Sequence, residues 1–303
     1  MGDLRDILLS RQQGKSDSHR IGLCLDSGGM KGAAVGGMAA ALDDLGLLSC
    51  FDDVYGSSCG ALIGAYALAG NRASGAEIFW EHLSDGRFIR PVMTPIGGAM
   101  HMNYLFDCVL QKREPLDVKA IAACGIKFHP LVTNRSFGVR DGRELFDLES
   151  PLGMMTALRA AVRVPLVCGN PWSQVPDLWT DAGLAEPIPY QTPKSQGITH
   201  MLMLRSAPKL YRPSGALEFT HSLAKWLLAK PITGSVEAGR HIQEHLLDRQ
   251  PRACLQQIYP ASGPKYSFFC RDRQTLMDYA EAGRSSVLAW WKAPAVSASE
   301  FGW

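Results

Sequence analysis

The sequence is poor in the features that mark several broad protein classes. Its charge is almost balanced, with 31 basic against 29 acidic residues, so it lacks the basic footprint that nucleic-acid binding requires. The eight cysteines (Cys24, Cys50, Cys59, Cys108, Cys124, Cys168, Cys254 and Cys270) are scattered. They have neither the short paired spacing that holds zinc nor the density that staples small secreted domains, and reduced thiols in a cytoplasmic setting are expected. Residues 1–20 (MGDLRDILLSRQQGKSDSHR) carry charge throughout, without the apolar run and small-residue cleavage site of a signal peptide, so secretion is not expected. Internal repeats and low-complexity linkers are missing too. What is present is ordinary globular composition, 46% hydrophobic and 20% charged, which excludes disordered and collagen-like classes and allows a sizeable core.

One stretch without charge, residues 54–71 (VYGSSCGALIGAYALAGN), approaches the length of a membrane span. Its early glycine and serine turn suits a strand, a sharp bend and a buried helix instead. Residues 20–26 (RIGLCLD) read as a buried strand bounded by glycines. The turn SGGMKG leads into a helix over 33–47, whose two internal glycines suggest close packing. A strand at 53–55 and a helix over 61–69 repeat this order, the mark of a doubly wound parallel sheet. Further elements are expected as a helix near 74–83, strands over 126–133 and 198–204, and a helix over 152–164 stopped by Pro165. Residues 91–106 carry three methionines and no net charge, which suits a substrate-facing lid or a core-covering loop. Beyond about 206 the pattern changes to amphipathic helices at 218–228 and 236–247. A strand-like CLQQIYP at 254–260 and a helix capped by Asp272 follow.

Three short motifs carry chemistry. Gly56-Ser57-Ser58-Cys59-Gly60 fits Gly-x-Ser-x-Gly between a strand and a helix. A nucleophile at such an elbow has a strained backbone, and flanking glycines remove side chains that would collide with neighbouring elements. Ser58 is thereby presented at a helix N-terminus, where free amides favour developing negative charge. Asp26-Ser27-Gly28-Gly29-Met30-Lys31-Gly32 is a glycine-rich turn at a second strand end. Its bare backbone suits an oxyanion hole, and it matches neither a P-loop nor a dinucleotide fingerprint. Asp181-Ala182-Gly183 is the third, by itself only a turn.

In this order the motifs resemble those of the patatin-like phospholipases. The family's Gly-Gly-Gly-x-Lys/Arg-Gly loop is matched by residues 27–32, with Ser27 for the first glycine. The elbow is matched at Gly56, Ser58 and Gly60, and the family's Asp-Gly-Gly or Asp-Gly-Ala by Asp181-Ala182-Gly183. Residues 157–165 also look like the helix that precedes that aspartate. The resemblance spans about 20–205, and later segments look like those of bacterial members with a C-terminal extension. It implies an α/β three-layer sandwich with a mostly parallel central sheet flanked by helices, and a mainly helical extension. The corresponding boundaries are an N-terminal segment 1–18, a catalytic domain 19–208 and an extension 209–303 packed on it.

The resemblance further implies a lipid acyl hydrolase without cofactor or metal, in which Ser58 attacks and Asp181 takes the proton. Gly28, Gly29 and Met30 would supply the oxyanion hole, with Lys31, Gly32, Gly56, Gly60 and Gly183 supporting the motifs. Cys59 reads as small filler whose amide could join the hole. Arg159 and Arg163 could meet a lipid phosphate or serve as scaffold pairs. Lipid or phospholipid esters are the expected partners. The methionine-rich loop with Trp290, Trp291, Phe301 and Trp303 suggests peripheral membrane contact, and the oligomeric state stays open.

Other readings remain open from the residues. A Ser-His-Asp esterase would draw on His200, His221, His241 or His245. His241-x-x-Glu244-His245 fits a zinc-peptidase pattern, and a lipid-binding protein could use the same fold without catalysis.

Overall fold

The computed structural model describes residues 3–70, 74–94, 98–134, 136–165, 167–168, 178–209, 211, 246–251, 253–262 and 265–293, with backbone alone at 74 and 91–94. After helix α1 (Leu4–Gln12), strand β1 (Ile21–Leu25) runs through the turn at 26–31 into α2 (Gly32–Asp44). Strand β2 (Asp53–Ser57) then turns sharply into α3 (Cys59–Leu68), with α4 (Ser74–Glu81) behind it. The charge-free stretch 54–71 is therefore split between a strand, a bend and a buried helix. Every residue of β2 and α3 is buried, as expected of a helix apolar on all sides. No helix among the described residues is long and apolar enough to cross a membrane.

The hairpin β3 (Ile89–Thr94) and β4 (Gly98–Met100) forms a separate small sheet. A wide π-helical segment, Tyr104–Arg113, and helix α5 (Val118–Ala123) lead to β5 (Lys127–Asn134) and the edge strand β6 (Gly138–Asp141). Helix α6 (Pro151–Ala161), the two-residue strand β7 (Thr180–Asp181), α7 (Gln191–Ser195), β8 (His200–Leu204), β9 (Leu255–Ile258) and α8 (Arg273–Lys292) follow. The expectation of a loop over 91–106 needs correcting. The segment holds a hairpin and the start of a helix whose inward positions, Tyr104, Leu105 and Phe106, are buried. Its apolar run was too short and too irregular for a helical period to stand out.

The main sheet has the order β6-β5-β2-β1-β8-β9. Strands β1, β2, β5, β8 and β9 are parallel, and β6 is antiparallel to β5. All residues of β1, β2 and β8 are buried, because a parallel sheet with both faces covered exposes neither side-chain row. Alternate residues feed two cores. Leu23, Leu25, Val54, Leu202 and Leu204 join the cluster under the helices, whereas Cys24, Tyr55, Met201 and Met203 join a smaller cluster with Ala182, Ile188 and Tyr190. Strand β9 pairs with β8, so part of the chain beyond 208 belongs to the sheet itself.

The glycines of α2 mark close helix packing. A Cβ on Gly36 would lie 2.8 Å from the Cα of Ala76 in α4, and one on Gly37 would lie 2.0 Å from the carbonyl oxygen of Ala280 in α8. Reciprocally, a Cβ on Gly283 of α8 would meet the Ala34 carbonyl oxygen at 2.1 Å. None of the eight cysteines is joined in a disulfide among the described residues.

Candidate active site

The site forms at the carboxyl ends of β1 and β2, beside the place between β1 and β8 where the strand order reverses. That is where ligands gather in open α/β sheets. Ser58 sits between β2 and α3 with φ 56° and ψ −128°. A positive φ is rare for a residue with a side chain; among the described non-glycine residues it recurs only at Leu178. The flanking glycines make the bend possible. A Cβ on Gly56 would fall 2.5 Å from the Ala61 backbone, and one on Gly60 would fall 2.4 Å from the Leu25 carbonyl oxygen. The hydroxyl is thus fixed at the N-terminus of a buried helix.

Asp181 reaches the same place through the sheet. Strand β5 is longer than β2: Lys127–Leu131 face β2, with Ser57 opposite Leu131. The next residues on that edge, Val132 and Thr133, pair with Asp181 and Thr180 of β7. β7 therefore occupies the edge that β2 leaves when it bends into the elbow, which sets Asp181 beside Ser58. The Asp181 amide is anchored on the Arg163 carbonyl at 3.0 Å.

The Asp181 carboxyl is 1% exposed. Burial pushes its pKa up to about 7, and the adjoining Ser58 hydroxyl and the Gly183 amide oppose that rise. Oδ1 accepts from the Gly183 amide at 2.7 Å, while Oδ2 is buried and has no hydrogen-bond partner among the described residues. Here desolvation dominates. Cys59, next to the serine, is also shaped by burial, which lifts its thiol to about 12 with help from Asp26 and Asp181. A thiol so protonated is a poor nucleophile.

The glycine-rich turn faces this pair and sorts its amides. The Ser27 amide donates to the Pro187 carbonyl at 3.0 Å, and the Met30 amide, expected in the oxyanion hole, donates to the Phe268 carbonyl at 3.0 Å. Neither Gly28 nor Gly29 gives its amide to a backbone carbonyl among the described residues. A Cβ on Gly28 would fall 2.6 Å from Ser206 Oγ. The Ser206 hydroxyl itself donates to the Ser27 carbonyl at 2.6 Å. Beneath them the buried Arg205 donates to Asp26 at 3.2 Å, so an ion pair at the end of β1 braces the turn. Lys31 is buried, with its ammonium 4.1 Å from the centre of the Tyr211 ring.

An apolar cleft opens over Ser58, lined by Leu62, Phe79, Phe88, Met100, Met102 and Val164 among others. Two methionines of the methionine-rich segment thus line the same cleft as Ser58. The free space is about 40 Å³, far below the ~300–1,000 Å³ of a typical ligand pocket.

A family model of patatin-like phospholipases matches residues 23–193. The chain belongs to this family. Among solved structures it is similar to VipD from Legionella pneumophila, at 12% sequence identity and a TM-score of 0.45, with 91% of this chain and 67% of that chain covered. No curated protein matches the chain.

Both departures from the patatin-like motifs find room. The Ser27 side chain lies against Gly183, its Oγ and Cβ 3.3 Å and 3.2 Å from where a Gly183 Cβ would be. Ala182 opens a helical turn, Ala182–Leu184, with no positive φ, a backbone that alanine adopts without strain. Arg159 donates to Asn103 at 2.8 Å and Asp107 at 2.9 Å, which makes it a tether between α6 and the π-helical segment. Arg163 is buried beyond the end of α6.

Among the histidines, His200 is buried at the start of β8, the end of the sheet opposite Ser58. It bonds Thr199 at 3.0 Å there. His221, His241, Glu244 and His245 lie outside the described residues, as do Phe301, Trp303 and the helices expected at 218–228 and over most of 236–247. Trp290 and Trp291 are half-buried against the core beside Arg5. Ser206, Arg205 and Phe268 carry no motif of their own, so nothing in the sequence tied them to the site.

Proposed function

We propose that the chain hydrolyses acyl ester bonds of lipids, as a phospholipase A or related carboxylic ester hydrolase, with Ser58 as nucleophile and Asp181 as its base. One observation carries this reading: Asp181 is a buried carboxyl raised to about 7, adjoining Ser58, with an oxygen that lacks a hydrogen bond among the described residues. Leaving a buried acceptor unmade costs about 1–3 kcal/mol. Taking the serine proton gives that oxygen a task.

In the first step Ser58 Oγ attacks the ester carbonyl carbon while its proton passes to Asp181 Oδ2. The carbonyl oxygen becomes an oxyanion beside the Gly28 and Gly29 amides. Each such donor is worth about 2.7–4 kcal/mol in comparable sites, so the hole supplies much of the barrier reduction. The bond to the alcohol then breaks, the alcohol leaves with the proton from Asp181, and an acyl-enzyme remains. A water gives its proton to Asp181 and attacks the acyl carbon; the bond to Ser58 Oγ then breaks, the proton returns from Asp181 to that oxygen, and the fatty acid leaves. The apolar lining above the serine suits an acyl chain, with Met100 and Met102 able to adapt to its shape.

A fluorophosphonate probe, with hydrolysis of p-nitrophenyl esters and phospholipids measured alongside, tests the reading. Labelling and turnover should vanish in Ser58→Ala, and turnover should fall by orders of magnitude in Asp181→Asn. Full turnover in folded Ser58→Ala would sink the proposal. A cytoplasmic setting and peripheral contact with lipid surfaces belong to the same reading, the latter supported by the apolar residues around the cleft. Failure of the full chain to co-sediment with phospholipid vesicles would remove that contact.

A further inference from the structure

We infer that Phe268, beyond the residues matched by the family, is a positioning and specificity-determining residue of this site: it secures the oxyanion turn and walls the acyl cleft. The inference rests on the reading of Ser58 as nucleophile. Two contacts join Phe268 to the turn. Its carbonyl accepts from the Met30 amide at 3.0 Å. Its ring lies flat against Gly29, where a Cβ would fall 2.8 Å from ring carbons. Gly29 has φ +58°, so glycine is required there both for its backbone angle and for the ring's approach. Engaging the Met30 amide ties down the turn that carries Gly28 and Gly29. Such preorganisation is what oxyanion stabilisation depends on.

The segment carrying Phe268 is itself held. The buried Tyr279 of α8 accepts from the Ser267 amide at 3.0 Å and donates to the Lys265 carbonyl at 2.5 Å. Its ring stacks on Tyr266 with centroids 4.4 Å apart. Helix α8 is locked onto α2 through the interlocking glycines Gly37 and Gly283, and α2 begins at the end of the oxyanion turn. A continuous line of packed groups thus runs from the last described helix to the glycine turn that shares a cleft with Ser58. The Phe268 ring is 7% exposed and borders the same cleft as Ser58, Met100 and Leu105. With about 40 Å³ free, the size of the side chain at 268 decides how much of an acyl chain fits.

The test compares Phe268→Leu and Phe268→Trp with the parent and Ser58→Ala, using p-nitrophenyl esters of increasing chain length and the fluorophosphonate probe. Phe268→Leu should raise the long-chain over short-chain ratio of kcat/KM by about tenfold, the low end of what one methylene is worth in an apolar pocket. Phe268→Trp should lower it. Both Phe268 variants should retain Ser58 labelling and a cooperative melt. A ratio unchanged in either folded, labelled variant overturns the inference and leaves the role of Ser58 intact. Turnover persisting in folded Ser58→Ala overturns that role instead, and this inference with it.

Discussion

Asp181 sits one rung of the sheet beyond Ser57, opposite Val132 where Ser57 is opposite Leu131. Ser58 and Asp181 thus meet because β7 fills the edge of β5 that the elbow vacates. The Asp181 carboxyl is buried in that place.

That burial predicts the pH profile. Asp181 must be ionised to take the serine proton, and its pKa lies at about 7, so kcat/KM should rise through neutral pH and level off above it. Below the midpoint the rise should be close to tenfold per pH unit. A profile flat from pH 5 to 8 would contradict a base in this environment.

The same carboxyl should cost the fold stability as pH rises from about 4 to about 7. Its pKa is raised from 3.8 to about 7 on folding, so between those values the native state binds the extra proton and stability falls as pH rises. Asp181→Asn removes this titration. In urea denaturation the variant should gain stability relative to the parent as pH moves from 4 to 8, even as turnover is lost. An unchanged difference across that range would count against the assigned burial effect.

Gly60 is a sharper probe of the elbow. Its missing Cβ would lie 2.4 Å from the Leu25 carbonyl oxygen and 2.8 Å from the carbonyl carbon, both backbone atoms of a central strand. Gly60→Ala should destabilise the protein by about 1–3 kcal/mol, as overpacking does. It should also abolish fluorophosphonate labelling under conditions where the fold persists. Wild-type labelling in this variant would mean that the turn tolerates a side chain.

Much of this was legible in the sequence because it is written in local pattern. The strand, glycine turn and helix at 20–47 and again at 53–69, and the cap at Asp272, each depend on neighbours within a few residues. The same holds for the glycines around Ser58, whose spacing reflects collisions inside one bend. The contacts that finish the site are of another kind. Phe268 on Gly29, Ser206 under Gly28 and Pro187 on the Ser27 amide join residues far apart in the chain, and none leaves a periodic or compositional trace. Strand β7 is two residues long, too short for alternation to register. Asp181 was found through its motif, and its place beside Ser58 comes from sheet pairing that no local pattern announces.

A second buried charge cluster, at the far end of the sheet, yields the last prediction. His129 Nε2 bonds Asp53 at 2.8 Å and Nδ1 bonds Asp141 at 2.5 Å. Arg20 donates to both oxygens of Asp53, and the Tyr55 ring stacks on the imidazole with centroids 4.2 Å apart. Burial alone would lower the histidine pKa, but the bonds to Asp141 and Asp53 outweigh it and raise the value above 6.5. Burial would likewise raise the two carboxyls, yet His129, joined by Arg20 at Asp53, holds both below 3.8. The signs then follow from linkage. The imidazolium's contribution is complete below about 6.5 and is lost as pH rises through its raised folded value. The carboxylates' contribution is present above 3.8 and is lost as pH falls through their lowered values. His129→Leu leaves two buried carboxylates without their shared cation and should cost about 3–5 kcal/mol near pH 6. The deficit should shrink on the alkaline side, where the parent also loses the charge. Urea titrations of parent and variant from pH 5 to 9 measure both effects, and a deficit that grows with pH would refute a charged His129.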